Sequence, residues 1–159
     1  MPLTLRSATP ADSEAIARLV NDAFRPERSF IDADRTNPSK IRHLFHKGKF
    51  LLLGDSGDSA SPAGCVYVEI RGDRGYFGLL AVDPAQQRSG IGGRLIAAAE
   101  EECRGAGCRY MDLTLVNLRT ELPDYYRRFG YCENGTLPFP SDQHTPKIPV
   151  HLVQMSKAL

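Results

Sequence analysis

Gln87-Arg88-Ser89-Gly90-Ile91-Gly92 stands between an apolar run, Gly78 to Val82, that reads as a strand and an apolar-periodic stretch that reads as a helix. A glycine cluster at that junction builds an anion site. Glycines at 90, 92 and 93 remove side chains that would keep a ligand off the backbone, and the first amides of a helix have no partner within it. The helix dipole attracts the same anion, and Arg88 adds a full positive charge. Two familiar phosphate motifs do not match. A nucleotide-triphosphate loop needs Lys and then Ser or Thr after its last glycine, where this chain has Gly93 and Arg94. The dinucleotide fingerprint needs a glycine at the position of Leu95, and its acidic partner would be Asp112, which falls inside a strand rather than at its end.

Working outward, Ile91, Leu95, Ala99 and Cys103 fall four apart on one helical face, with Glu100, Glu101 and Arg104 expected to face water and Gly105 and Gly107 to stop the helix. Arg109 to Val116 alternates strictly and reads as a strand. Strand, helix and strand in this order imply a parallel pair with a crossover, which puts the glycine cluster at the carboxyl end of a strand. Upstream, Gly64 to Ile70 and Tyr76 to Val82 read as an antiparallel hairpin turning through residues 71–75.

Towards the N-terminus the pattern predicts a strand from Leu3 to Ser7, then a helix capped by Thr9 with Pro10 in its first turn and Ile16, Leu19, Val20 and Ala23 inward. Residues 25–38 are charged and rich in breakers, and a second short helix runs from Pro38 to Lys47. Phe50 to Leu53 is a strand, followed by a loop tip from Gly54 to Ser59. After residue 116 come a short helix, Pro123 to Phe129, and two strands, Tyr131 to Asn134 and Val150 to Met155, joined by a Pro-rich stretch.

With 159 residues, 42% of them hydrophobic, the expectation is one domain over 1–159 with a substantial core. A formal charge of +1 argues against nucleic acid and anionic membrane as partners. Residues 1–6 lack the pattern of a secretory signal and no apolar run has the length of a membrane span, so a cytoplasmic protein is expected. Cysteines 65, 103, 108 and 132 have no zinc or disulfide spacing and read as reduced and mostly buried. His43 and His46 share a helix face without a third ligand, and no metal is expected.

The segment Gln87-x-x-Gly90-x-Gly92 resembles the Q/R-x-x-G-x-G/A signature of the GCN5-related N-acetyltransferases (GNAT), preceded by Leu80-Ala81-Val82-Asp83-Pro84 as strand and bulge. Asn117 at the end of the next strand, and Tyr126-Arg127-Arg128-Phe129-Gly130-Tyr131, similar to the family's Y-x-x-x-G-F/Y ending, extend the resemblance. It implies an α/β (α+β) fold with a mixed, mostly antiparallel central sheet of about six or seven strands flanked by about four helices. It also implies acetyl-CoA as cosubstrate, its pyrophosphate on the amides of Arg88, Ser89, Gly90, Ile91, Gly92 and Gly93 beside Gln87. The strands ending near Val82 and Val116 are expected to splay, freeing the backbone of Leu80, Ala81 and Val82 for the thioester and a developing oxyanion.

Tyr126 matches the tyrosine that assists the departing thiolate, with Tyr125 left to packing. A phenol pKa of about 10 against about 8.5 for a thiol makes complete proton transfer uphill by roughly 2 kcal/mol, so hydrogen-bond assistance is the expected role. The acceptor amine must lose a proton. Family members often use a Glu on the strand before the glycine loop, but Tyr76 stands at the matching position, leaving Glu69 on the partner strand or a water relay as the base. Asn117 either hydrogen-bonds the cofactor or caps the following turn.

The resemblance implies an acceptor pocket shaped by residues 25–37 and 136–149. There Asp32 and Asp34 could attract a cationic amine, and His151 either faces the pocket or is buried against backbone. The expected function is transfer of acetyl to a primary amine of a small molecule by direct attack in a ternary complex. A protein lysine or N-terminal acceptor, and a CoA-binding sensor without turnover, are the alternatives; dimerisation, common in the family, is left open by the sequence.

Overall fold

The run Phe50-Leu51-Leu52-Leu53 is buried throughout, and because successive strand residues point to opposite faces, it marks a strand covered on both sides. Phe50 and Leu52 join Ile16, Val20, Ile41 and Tyr67 in one core cluster. Leu51 and Leu53 join Leu95, Ile96, Phe77 and Met111 in the other. The computed structural model describes residues 3–31, 33–55, 61–87, 89–140 and 146–159. Among them seven strands form one sheet: β1 (Leu3–Ser7), β2 (Lys49–Asp55), β3 (Gly64–Arg71), β4 (Arg74–Val82), β5 (Tyr110–Val116), β6 (Cys132–Pro138) and β7 (His151–Ala158). Their order across the sheet is β1-β2-β3-β4-β5-β7-β6. Every neighbouring pair is antiparallel except β4 and β5.

Four α-helices flank the sheet: α1 (Ser13–Ala23), α2 (Pro38–Leu44), α3 (Ile91–Gly105) and α4 (Leu122–Arg127). α1 and α2 cover the Phe50 face and α3 the other. None of the helices is long and apolar enough to cross a membrane. The crossover from β4 through α3 to β5 appears as the sequence implied. Several boundaries differ, each for a local reason. The loop tip expected from Gly54 begins later, because Gly54 and Asp55 pair with Thr4 and Leu3; its other residues, 56–59, lie outside the described segments. The hairpin connection shrinks to Gly72-Asp73, with Arg71 opposite Arg74 and Gly72 at φ +68°, a left-handed position that glycine takes without steric cost. A 3-10 turn, Pro10–Asp12, precedes α1, the Thr9 N–H donating to Asp12 Oδ2 at 2.8 Å.

Glu100, expected at the water face of α3, is buried. Its carboxylate accepts from the Tyr131 hydroxyl at 2.8 Å and pairs with Lys157 at 3.0 Å. Helical periodicity within α3 carries no information about Tyr131 and Lys157, which arrive from distant parts of the chain. Asp112 accepts a bidentate hydrogen bond from Arg74, at 2.8 and 2.7 Å, and another from Ser156 at 2.5 Å. That network ties β4, β5 and β7 together where the two parallel strands begin.

Candidate active site

The parallel pairing of β4 with β5 lasts three residues, Arg74 to Tyr76 against Tyr110 to Asp112. Beyond Tyr76 the β5-facing edge of β4 has no strand partner, and a cleft of about 990 Å³ opens between the strands. The cause is partly visible in β4 itself. The register with β3 slips between Cys65 opposite Ala81 and Tyr67 opposite Gly78, so Leu79 and Leu80 share one partner residue, Val66. This is a β-bulge. Leu79 takes φ +49°, unusual for a residue with a Cβ, and the extra residue turns β4 away from β5. The Tyr76 hydroxyl lies over Gly78, where an added Cβ would come within 2.6 Å of it.

At one end of the cleft sits the start of α3. Gly90 caps the helix at φ +80°, and the first helical hydrogen bond runs from Arg94 N–H to the Gly90 carbonyl at 3.1 Å. The amides of Ile91, Gly92 and Gly93 therefore precede any intrahelical partner. A Cβ on Gly92 would come within 2.3 Å of the Tyr125 hydroxyl, so the Tyr125 side chain of α4 rests directly on the bare backbone of α3 and would have to shift for any larger residue. These are the features a diphosphate needs: bare backbone, N–H groups without a partner among the described residues and the positive end of a fifteen-residue helix.

Of the residues the sequence nominated for the donor, Leu80, Val82, Gln87, Gly90, Ile91, Gly92, Gly93 and Tyr126 line the cleft. Ala81 points instead into the α1 core, and the Ser89 hydroxyl donates to the Gln86 carbonyl at 2.5 Å. Arg88 and Asp32 lie outside the described residues.

Tyr126 is clamped by the rings of Tyr125, Phe77 and Tyr131 at centroid distances of 5.1, 6.0 and 6.4 Å. Its hydroxyl has no hydrogen-bond partner among the described residues, and burial pushes its pKa well above that of a free phenol. A buried hydroxyl left unpaired is costly unless something fills the position. Tyr125, assigned to packing, does stack on Phe129 at 5.2 Å, yet it also contributes to the cleft wall.

Other nominations land elsewhere. Asn117 accepts from the His151 N–H at 2.9 Å through Oδ1, and its own N–H donates to the His151 carbonyl at 3.0 Å. Its side chain thus stands in for backbone and extends the β5–β7 ladder by one step. Glu69 is not on the cleft wall: it accepts from the Tyr67 hydroxyl at 2.6 Å and pairs with Arg71. Burial works to raise its pKa, but hydrogen bonds from Tyr67 and Arg71 overcome it and hold the carboxyl below its ordinary value, the wrong direction for accepting a proton at neutral pH. Arg71 also covers the Tyr76 ring at 4.1 Å. His151 is neither buried nor on the cleft but exposed at the start of β7. Asp34 reaches the cleft wall, exposed and paired with Arg28 at 2.8 Å.

Sequence reading missed Glu27. It lies on a 3-10 turn, Arg25–Ser29, just after α1, and is only 6% exposed although it belongs to the cleft wall. Arg119 donates to its Oε2 at 2.9 Å. Burial raises the Glu27 pKa, and the positive charges of Arg119 and Arg35 only partly oppose this. A run of charged residues looks like solvated loop, and the missing cue was Arg119, ninety-two positions away.

The acetyltransferase (GNAT) family sequence model matches residues 13–131. The chain belongs to this family. Solved structures agree on the fold of this GNAT protein. Ard1 from Thermoplasma volcanium superposes with a TM-score of 0.79 at 19% identity, over 100% of this chain and 99% of that one. Nourseothricin acetyltransferase gives 0.75 at 20% identity over 99% of both chains. The yncA protein from Salmonella typhimurium, solved with acetyl-CoA, gives 0.73 at 18% identity over 100% of this chain and 95% of that one. The GNAT chain is accordingly an acetyltransferase.

Proposed function

We propose that this GNAT enzyme acetylates a primary amine of a small molecule by direct attack on acetyl-CoA in a ternary complex. The observation that carries the reading is the cleft between β4 and β5, with helix amides that have no partner among the described residues at one end and the Glu27–Arg119 pair on its wall. Walls come from both flanks: Ala23, Phe24, Glu27, Ile31 and Arg35 among others on the α1 side, and Phe139 and Pro140 after β6. A walled pocket of this size suits a small acceptor. Acetyl-CoA as donor also suits a cytoplasmic enzyme.

Gly90, Ile91, Gly92 and Gly93, with Gln87, Arg88 and Ser89 preceding them, take the pyrophosphate in this reading. The unpaired edge of β4 at Leu80 to Val82 orients the thioester, and its N–H groups stabilise the oxyanion that forms as the amine attacks. Tyr126 then donates a hydrogen bond to the departing thiolate. Because burial makes its phenol a weaker acid, it remains a donor and does not surrender its proton.

The test is a panel of primary amines, including N-terminal and lysine peptides, with acetyl-CoA and thiol release as readout, alongside calorimetry with acetyl-CoA. Turnover with small amines is expected. Release only with peptides moves the acceptor to protein, and heat on binding without release for any amine refutes transfer to an amine.

A further inference from the structure

We propose that Glu27 takes the proton from the incoming amine, with Arg119 holding its carboxylate towards the cleft; this rests on the amine-acetylation reading above. Glu27 is unlike the other carboxylates described around the cleft. Asp34 is exposed and paired with Arg28, and the Glu121 side chain is 62% exposed. Glu27 is buried, and Arg119 engages only its Oε2, so among the described residues Oε1 has no hydrogen-bond partner.

Arg119 is itself fixed, its Nε donating to Glu121 at 3.1 Å, and its charge is felt by both Glu27 and Tyr126. One guanidinium therefore links the carboxylate that would receive a proton with the phenol that would steady the leaving group. The charged groups facing Glu27 are Arg119 from the β5–α4 connection, Arg35 from the α1–α2 connection and Glu121. The two cations lower its pKa, Glu121 raises it, and burial outweighs the cations.

The proton balance is complete. An alkylammonium with a pKa of about 10.4 is neutral in fewer than about one in a thousand molecules at pH 7, and transfer of one proton to Oε1 frees its lone pair. The nitrogen forms a bond to the acetyl carbon and the carbon–sulfur bond breaks. The second proton of the nitrogen goes to the thiolate, which Tyr126 hydrogen-bonds, and Glu27 returns its proton to solvent.

The experiment compares Glu27→Gln with wild type on the best alkylamine of the panel and on its fluorinated analogue, whose amine is already neutral at pH 7. For the alkylamine, kcat/KM at pH 7 should fall about 100-fold, and the acidic limb set by Glu27 should give way to a rise that continues to the amine's own pKa of about 10.4. For the analogue the fall should be less than about threefold, with acetyl-CoA affinity unchanged. Equal losses for both amines, or none, overturn the proposal while leaving the acetylation reading intact. Wild-type protein that binds acetyl-CoA but acetylates no amine overturns both. Should the variant not fold, carbon-13 titration of the wild-type Glu27 carboxyl decides: a midpoint above the ordinary glutamate value of about 4.3 supports the role, and one at or below it overturns it.

Discussion

The two ends of the β4–β5 pair are built on opposite terms. Where the strands begin they are hydrogen-bonded, Arg74 grips Asp112 with two hydrogen bonds, and the buried Glu100 is matched by Lys157 and Tyr131. Where they end they are parted, Leu79 holds an unusual backbone angle and the Tyr126 hydroxyl has no described partner. At the first end every polar contact is spent on holding the sheet. At the second, hydrogen-bonding capacity is kept in reserve for what enters the cleft. Substitutions at the closed end should therefore cost stability and spare chemistry, and those at the open end the reverse.

The largest effect is expected from Glu100→Ala. It leaves the Lys157 ammonium and the Tyr131 hydroxyl without their buried anion, and losing one member of a buried pair costs about 3–5 kcal/mol. Urea unfolding should show this, while the folded fraction keeps its affinity for acetyl-CoA. Tyr126→Phe should do the opposite: kcat down about 100-fold, with the unfolding midpoint and acetyl-CoA affinity nearly unchanged. A variant with wild-type turnover would remove Tyr126 from the mechanism.

Gly90→Ala sharpens the contrast at the helix start. A Cβ there meets no neighbour within 4 Å, so the penalty is conformational: φ is +80°, a region that costs an L-residue about 1–2 kcal/mol. Calorimetry should report acetyl-CoA binding weaker by about tenfold. The smallest effect is expected for Asp112→Asn. The Arg74 hydrogen bonds hold the Asp112 pKa below its ordinary value, so the folded state gains stability above the unfolded pKa of about 3.9 and loses it as pH falls through the lower folded value. Because the Arg74 side chain is 39% exposed, solvent screens the pair and the loss at pH 7 should be about 0.5–1 kcal/mol. Urea titrations of the two proteins should converge as pH falls through the lowered folded value of Asp112.

Legibility in the sequence followed the same division. Elements set by local pattern were readable: the glycine turn into α3, the strict alternation of β5, and the helix closed by Gly130 at φ +97°. The end of the cleft at the start of α3 was readable because backbone geometry makes it and glycine spacing writes that geometry into the chain. The Glu27 wall of the cleft was not, because it depends on a pair separated by a long stretch of chain, Glu27 with Arg119, just as the role of Asn117 outside the cleft depends on His151. Glu100 misled for the same reason, its partners lying thirty-one and fifty-seven positions away. Periodicity reports which face an element buries and is silent about what that face will meet.

The place of β7 carries one more consequence. Residues 151–158 are the last strand in sequence, yet they insert between β5 and β6 and pair with β5 along its whole length. The wall of the cleft formed by β5 thus stays without its outer neighbour, and β6 without any, until residues 151–158 have been made. Such distant pairing is slow because the intervening chain must first be brought round. During synthesis the half carrying α1 and the β2–β4 meander can assemble early, whereas a complete cleft must wait for β7 to insert between β5 and β6.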